Sequence, residues 1–372
     1  MNVALSEEQR ELSRTVRAFL EQKSPEAEVR RLMETDEGFD RGVWDQMAAQ
    51  LGLQGLAIPE EYGGSGYTFR ELAIVLEEMG RVLMCTPFLS TAVLAGYALL
   101  ESGDTEAQAR YLPGIASGAI VASLALAEDT GGWTESAVTV AASGADSGWT
   151  LTGVKSFVLD GRSADLILVA ARAPKGTSLF AVSGDAPGLT RRPLSTMDLT
   201  RKLARLEFRA VPAILVGAEG EAWPGLERTL QLAAVALAAE QVGGAQRCME
   251  MSVEYAQNRI QFWRAIGSFQ AVKHRCADML VQVEMAKSAA YYAAACAASD
   301  DVDLPVAAAM AKSYCSEAYY KIAAETIQVH GGIGFTWEHP AHLYLKRAKS
   351  SELFLGDPRE HRRRLASALQ LN

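Results

Sequence analysis

Apolar residues recur with the period of an α-helix along the first third of the chain. One stripe near the N-terminus is formed by Leu5, Leu12, Val16, Phe19 and Leu20. The segment from Phe69 to Leu83 repeats the same period. A Gly-rich run, PEEYGGSGY at residues 59–67, interrupts it. The sequence from Ser6 to about Ala116 therefore predicts a helical first domain.

The pattern changes to short runs of period two between about Ile120 and Ala222, with Gly, Asp, Ser and Pro between the runs. Such alternation is typical of β-strands. Long Ala-rich amphipathic segments return after Pro224. They are Leu226 to Gln257, Phe269 to Ser299, Leu304 to His330 and a shorter set from Pro340 onward. We predict a mainly α protein with a central β domain, divided at 1–118, 119–222 and 223–372, the last part being a four-helix bundle.

Composition narrows the class of function. The chain has 372 residues, a net charge of −9 and 49% hydrophobic residues, which argue against a nucleic-acid surface. The longest apolar runs, such as Leu232 to Ala239, are far shorter than the roughly 20 residues of a membrane span. The N-terminus does not resemble a secretory signal. We therefore expect a cytoplasmic protein.

Common catalytic and nucleotide-binding motifs are missing from the sequence. It contains no GxGxxG, GxxxxGK[ST], HExxH or GxSxG. His339 and His342 share the run HPAH, but Pro340 stands between them and no third ligand is close in sequence, so we expect no metal site. Five cysteines without a CxxC pair indicate reduced thiols.

Six motifs, in matching order across nearly the whole chain, resemble those of the acyl-CoA dehydrogenase family. They are PEEYGGSG at 59–66, ALAEDTGG at 125–132, LTGVKSFV at 151–158, MDLTRKLARLEF at 197–208, EYAQNRIQFWRAIGSFQAVKH at 254–274 and QVHGGIGF at 328–335. The last two are the most specific. The resemblance implies an N-terminal helical domain, a middle domain like a β-barrel and a C-terminal four-helix bundle.

The resemblance also implies FAD, held in a cleft between two protomers, with one protomer binding the flavin ring and its neighbour reaching the pyrophosphate and adenosine. The adenosine half of the family pattern is matched by Arg259, Phe262, Gln270, Gln328, Gly331 and Gly332. An Arg offers a fixed fork to phosphate oxygens, and paired glycines let backbone amides approach closely. Alternatively, Gly331 and Gly332 form only a helix C-cap.

The flavin-ring half of the family pattern is altered. Ala127 stands where the family has a Thr that bonds the ring, and Trp133 replaces a small Ser. The family's WIT triplet, whose Trp covers the ring and whose Thr meets flavin N5, is Phe157-Val158-Leu159 here. Two hydrogen bonds of about 0.5–1.5 kcal/mol each would be lost. Ordinary drift in a working enzyme is the alternative interpretation.

The family's catalytic base is a Glu at one of two positions, and neither position carries one here. They correspond to Leu355 and Ala233. Glu240 is seven residues from Ala233, roughly 10 Å along a helix, whereas a base must come within about 3 Å of its proton. Glu352 and Asp357 could approach only if their loop were remodelled. We therefore predict no catalytic residue in this chain.

Together these features favour a subunit of an FAD-dependent acyl-CoA dehydrogenase that lacks the base and contributes the adenosine half of the site to a homologous catalytic subunit. QFWR at 261–264 and WEHPAHLY at 337–344 are similar to actinobacterial steroid side-chain enzymes with two α and two β subunits. The resemblance implies a steroid side-chain CoA ester, bound mainly by the partner, and an electron-transfer flavoprotein as acceptor.

Two other hypotheses remain open from the sequence. One is a self-sufficient homotetrameric flavoenzyme with a displaced base such as Asp357. The other is a flavin-free assembly or binding protein on an old enzyme fold.

Overall fold

The computed structural model describes residues 5–145 and 148–371. Along these ranges, the α-helices are α1 (Glu7–Lys23), α2 (Glu26–Met33), α3 (Arg41–Leu51), α4 (Phe69–Arg81), α5 (Gly96–Leu100), α6 (Thr105–Ala116), α7 (Trp223–Asn258), α8 (Gln270–Ala298), α9 (Leu304–His330), α10 (Ala341–Leu353) and α11 (Pro358–Ala368). The strands are β1 (Ala122–Ala125), β2 (Ala141–Ala145), β3 (Gly148–Leu159), β4 (Leu166–Ala173), β5 (Gly176–Ser183), β6 (Leu189–Pro193), β7 (Leu203–Val216), β8 (Ile260–Gln261) and β9 (Arg264–Ala265).

The chain forms two compact units. The first contains residues 1–30, 69–84 and 234–372, and the second contains residues 31–68 and 85–233. The mainly helical fold with a central β region is confirmed. The boundaries at 118 and 222 stay a prediction, and residues 1–4, 146–147 and 372, which the predicted domains include, lie outside the described ranges.

A helix bundle makes up most of the first unit. α9 packs against α8, α10 and α11, and α4 packs against α1 and α8. Alanines on the buried faces of α8 and α9 let these helices approach closely. α7 crosses α4 at glycines from both helices: a Cβ on Gly243 would lie 1.8 Å from the Glu77 carbonyl oxygen, and one on Gly80 would lie 2.0 Å from that of Glu240. Larger residues would push these helices apart.

A closed β-sheet forms the centre of the second unit. The strand order is β1-β4-β2-β3-β7-β5, with β6 beside β7, and β4 also pairs with β5, so the sheet closes on itself. Apolar side chains such as Val140, Leu151, Phe180 and Leu206 fill its interior. The barrel-like middle domain is thus confirmed. Within the described ranges, no helix has the length and apolar character needed to cross a membrane.

Candidate functional site

The first unit brings the ends of three long helices together. α7 ends at Asn258 and α9 at His330. Their last two turns are in contact: the Ser252 hydroxyl donates to Thr326 Oγ1 at 3.1 Å, and the ring centroids of Tyr255 and His330 are 4.4 Å apart. This contact fixes the end of α7 beside the end of α9.

The first turns of α8 lie at the same end of the bundle. Arg275 of α8 forms an ion pair with Glu325 of α9. Gln270 is the first residue of α8, and Gln328 lies in the last turn of α9. The structure therefore places all the residues predicted for the adenosine half at this end, namely Arg259, Phe262, Gln270, Gln328, Gly331 and Gly332. All six are exposed. Their role in binding the cofactor stays a prediction.

A two-residue hairpin joins α7 to α8. β8 pairs with β9, and Phe262 and Trp263 form the connecting tip. Both have positive φ, +51° and +61°, as both central residues of a type I′ turn do. The Arg264 guanidinium lies 4.1 Å from the centroid of the Phe269 ring, which also makes an edge contact with Phe262. These contacts tie the hairpin to Phe269, the residue that precedes α8.

The two glycines after α9 differ in what they require. Gly331 has φ +63° and ψ −139°, a conformation nearly restricted to glycine, and its N–H caps α9 by donating to the carbonyls of Ile327 and Gln328. Gly332 does not have positive φ, and a Cβ there would meet nothing within 4 Å. The helix cap therefore explains Gly331 but not Gly332. Glycine at 332 leaves open space for a group from outside the chain.

Three histidines support the loop that follows these glycines. The His330 ring is 4.3 Å from that of His339, and His342 makes an edge contact with Trp337. His330 Nδ1 donates to the Thr326 carbonyl at 2.7 Å. Burial lowers the pKa of each histidine. The sequence does not connect His330 with the HPAH run, since His339 lies nine positions further along the chain. Among the described residues, no group of three or more His, Cys, Asp or Glu side chains could hold a metal ion.

The predicted flavin-ring positions lie in the second unit. Ser156 N donates to the Ala127 carbonyl at 2.9 Å, which brings the loop after β1 beside β3. A register shift in β3 between Lys155 and Val158 leaves Phe157 partly exposed with φ +57°. The side chains of Ala127 and Leu159 are buried and apolar. Neither can donate a hydrogen bond to a ring.

A buried ion pair lies next to these positions. Lys155 Nζ donates to Glu128 Oε1 at 2.8 Å and to the Leu126 carbonyl at 2.8 Å. Burial lowers the pKa of Lys155 to about 8. Burial alone would raise the pKa of Glu128, but hydrogen bonds from Lys155 and Thr139 lower it below its ordinary value. The pair is a structural support of the loop after β1.

Asp129, the next residue, forms a more exposed cluster. Its carboxylate accepts from the Arg205 guanidinium at 2.9 Å and from the Ser156 hydroxyl. These two partners lower the pKa of Asp129 to about 2. The sequence does not reveal either carboxylate cluster, because Lys155, Ser156 and Arg205 are 27 to 76 residues from the carboxylates they contact.

The two positions where the family carries its catalytic Glu are occupied by buried, apolar residues in this chain. Leu355 is 2% exposed and has φ +63°, and Ala233 is buried within α7. His361 Nε2 donates to the Leu355 carbonyl at 3.0 Å. Burial, helped by the nearby Lys312, lowers the pKa of His361 to about 3, so the ring is neutral. Lys312 Nζ donates to the Gly356 carbonyl at 3.2 Å. Both groups fix the loop around Leu355.

The three alternative acids are held in structural roles. Glu240 is buried and accepts from Arg347 at 2.9 Å. Glu352 pairs with Lys349 at 3.0 Å. Asp357 caps α11 by accepting from the Glu360 N–H at 2.8 Å. Their carboxylates are therefore occupied by contacts within the chain.

Comparison with family models covers most of the sequence. The models described as acyl-CoA dehydrogenase N-terminal, middle and C-terminal domains match residues 6–119, 123–211 and 221–370. Among curated proteins, the acyl-CoA dehydrogenase IpdE2 of Mycobacterium tuberculosis is 39% identical over 97% of this chain and 97% of its own length.

Two solved structures add complexes to the comparison. A variant of the Tcur3481-Tcur3483 steroid ACAD matches with a TM-score of 0.88 and 33% identity over 98% of both chains. The ChsE4-ChsE5 complex of Mycobacterium tuberculosis matches with a TM-score of 0.91 and 30% identity over 100% of both chains.

Proposed function

The chain belongs to the acyl-CoA dehydrogenase family, and from this we propose that it is the non-catalytic subunit of a hetero-oligomeric, FAD-dependent acyl-CoA dehydrogenase. The observation that carries the proposal is the base position, where Leu355 is buried and apolar. Positioned general bases contribute about 10²–10⁴-fold to rate. A chain without one serves catalysis through a partner that has it.

The contacts of the neighbouring acidic residues also favour a non-catalytic subunit over a self-sufficient enzyme with a displaced base. Glu240 neutralises the buried Arg347. Asp357 caps a helix whose first turn would otherwise leave backbone N–H groups without acceptors. Moving either carboxylate toward a substrate would remove a structural contact. Neither is therefore a free base.

The end of the bundle fits the adenosine half of FAD. Arg259 is exposed there, as are the amide side chains of Gln270 and Gln328. The backbone at Gly332 is open to a ligand, and no contact within the fold requires glycine at this position. We propose that Arg259 binds the pyrophosphate and that the Gly331-Gly332 backbone approaches the adenosine half of a cofactor shared with the partner.

The second unit fits the flavin ring less well. Ala127 and Leu159 offer no side-chain donor, so this chain does not hold a ring in the family's manner. When bound, FAD accepts the hydride removed from the acyl thioester. In our proposal, this chain's residues position the adenosine half, and the partner supplies the ring pocket, the base and most of the acyl-CoA contacts.

We propose a steroid side-chain CoA ester as the substrate, an α2β2 assembly as the active form and an electron-transfer flavoprotein as the electron acceptor. The 33% identity to a steroid ACAD and the 30% identity to a chain of the ChsE4-ChsE5 complex support the substrate class and the assembly. The acceptor rests on the family resemblance alone.

The test is acyl-CoA oxidation by this chain expressed alone and with each acyl-CoA dehydrogenase paralogue that carries Glu at the position matching Leu355. We expect activity only in the co-expressed complex. Replacing the partner's Glu by Gln should abolish that activity while the complex keeps its flavin. Steady oxidation by the solitary chain would contradict the proposal.

A further inference from the structure

The tip of the hairpin between α7 and α8 has a backbone conformation that its two residues rarely adopt. Phe262 and Trp263 both have positive φ, a region that costs little for Gly or Asn and much more for large side chains. Type I′ turns accordingly favour Asn-Gly and Gly-Gly. Two successive aromatics in this conformation need a reason outside the turn itself.

Burial within the chain does not supply that reason. Phe262 is 81% exposed, and Trp263 is fully exposed. Exposed apolar side chains also follow Gly332 at the same end of the bundle, in the loop that contains Ile333, Phe335 and Trp337. Several exposed aromatic side chains at one end of the bundle are typical of an interaction site. Trp is also among the residues that contribute most to protein interfaces.

The charged residues beside the hairpin tip indicate which kind of partner would bind there. Arg259 and Arg264 stand on either side of the tip and are exposed, so they complement an anionic group such as a bound pyrophosphate. The chain's net charge of −9 disfavours an anionic membrane. A second copy of this chain would offer the buried, apolar Ala127 and Leu159 in place of ring donors. A flavin-bearing homologous subunit fits these observations best.

We propose that Trp263 is the anchor by which this chain docks on its flavin-bearing partner subunit, and that the strained turn is retained because it directs the indole outward. This inference rests on the proposed function and goes beyond it. The cofactor residues explain why the hairpin lies at the site, whereas Trp263 determines how tightly the partner is held.

The experiment compares wild type with Trp263→Gly, Trp263→Phe and Val302→Gly. Glycine suits the positive φ at 263, so we expect the unfolding midpoint of the solitary W263G chain to equal or exceed that of wild type. Its affinity for the Glu-bearing partner should fall about thirtyfold or more, as for an interface anchor. W263F should restore part of that affinity. Val302 is 89% exposed in the loop between α8 and α9. V302G therefore introduces a glycine at an exposed apolar position at the other end of these helices, and it should bind normally.

Several results would overturn the inference. Unchanged partner affinity in W263G would remove the anchor role alone. Loss of flavin with unchanged subunit affinity would assign Trp263 to the cofactor, and a lower unfolding midpoint of the solitary chain would make its role structural. Two results with the wild-type chain would overturn the proposed function as well. In the first, the chain assembles with no Glu-bearing paralogue. In the second, Trp263 promotes binding only to a second copy of the chain or to anionic phospholipid vesicles.

Discussion

The two adjacent glycines after α9 provide a matched pair of substitutions with opposite expected effects. Gly331→Ala forces an L-residue into φ +63°, ψ −139°, which costs about 1–3 kcal/mol. Gly332→Ala adds a methyl group where nothing lies within 4 Å and where φ is not positive. Reducing the freedom of the unfolded chain should then leave stability unchanged or raise it by about 0.4–1 kcal/mol.

For flavin binding by the complex, Gly332→Ala is the informative substitution. If Gly332 is present because a cofactor backbone contact needs the space, G332A should weaken flavin retention by the complex even though the solitary chain is as stable as wild type. A loss of one charge-assisted or backbone hydrogen bond corresponds to about 1–2 kcal/mol, or roughly five- to thirtyfold in flavin affinity.

The assays are urea unfolding of the solitary variants and flavin release from the co-expressed complexes. G331A shows the effect of backbone strain on the solitary chain, because its unfolding midpoint should fall whether or not flavin is present. Two results would refute the reasoning: a destabilised solitary G332A chain, or a G332A complex that retains flavin as firmly as wild type.

Three further predictions concern other parts of the chain. Lys155→Met should lower the free energy of unfolding by about 3 kcal/mol, because it leaves the carboxylate of Glu128 without its buried cation; urea unfolding would show this, and the double change with Glu128→Gln should recover part of the loss. Asp129→Asn should destabilise the protein fully above about pH 4 and progressively less below it. The folded pKa of about 2 is below the ordinary value of 3.8, so the contribution of the Arg205 pair is lost as pH falls from about 4 to about 2. Unfolding curves that differ equally at pH 2 and pH 6 would contradict this. Leu355→Glu should destabilise the chain by roughly 2–4 kcal/mol, because it exchanges a buried apolar side chain for a carboxylate. It should not confer acyl-CoA oxidation on the solitary chain, and measurable turnover would show that the ring half is functional.

The long helices were the part of the fold most easily read from the sequence. The predicted segment from Leu304 to His330 has the bounds of α9, because Pro305 stands in its first turn and Gly331 ends it. The predicted segment from Leu226 to Gln257 begins three residues after the start of α7 at Trp223, because Pro224 lies in the first turn of the helix rather than before it. Local signals thus located the helix ends to within a few residues.

The side-chain clusters of the site were less accessible to sequence reasoning. Lys155 and Glu128 meet because β3 lies beside the loop after β1, and no local period encodes that pairing. The rings of His330 and His339 meet in a tilted contact because the chain folds back after α9. The turn at Phe262 and Trp263 contradicts the usual preference for glycine, so its geometry became evident only from the backbone.

The most direct test of the shared site is the ratio of flavin to protein chains, measured by absorbance together with native mass spectrometry. We expect the solitary chain to carry no flavin and the complex with a Glu-bearing paralogue to carry one flavin for each pair of unlike chains. Arg259→Ala in this chain should lower that ratio without dissociating the subunits. Full flavin occupancy of the solitary chain, or one flavin for every chain in the complex, would contradict a site divided between the two subunits.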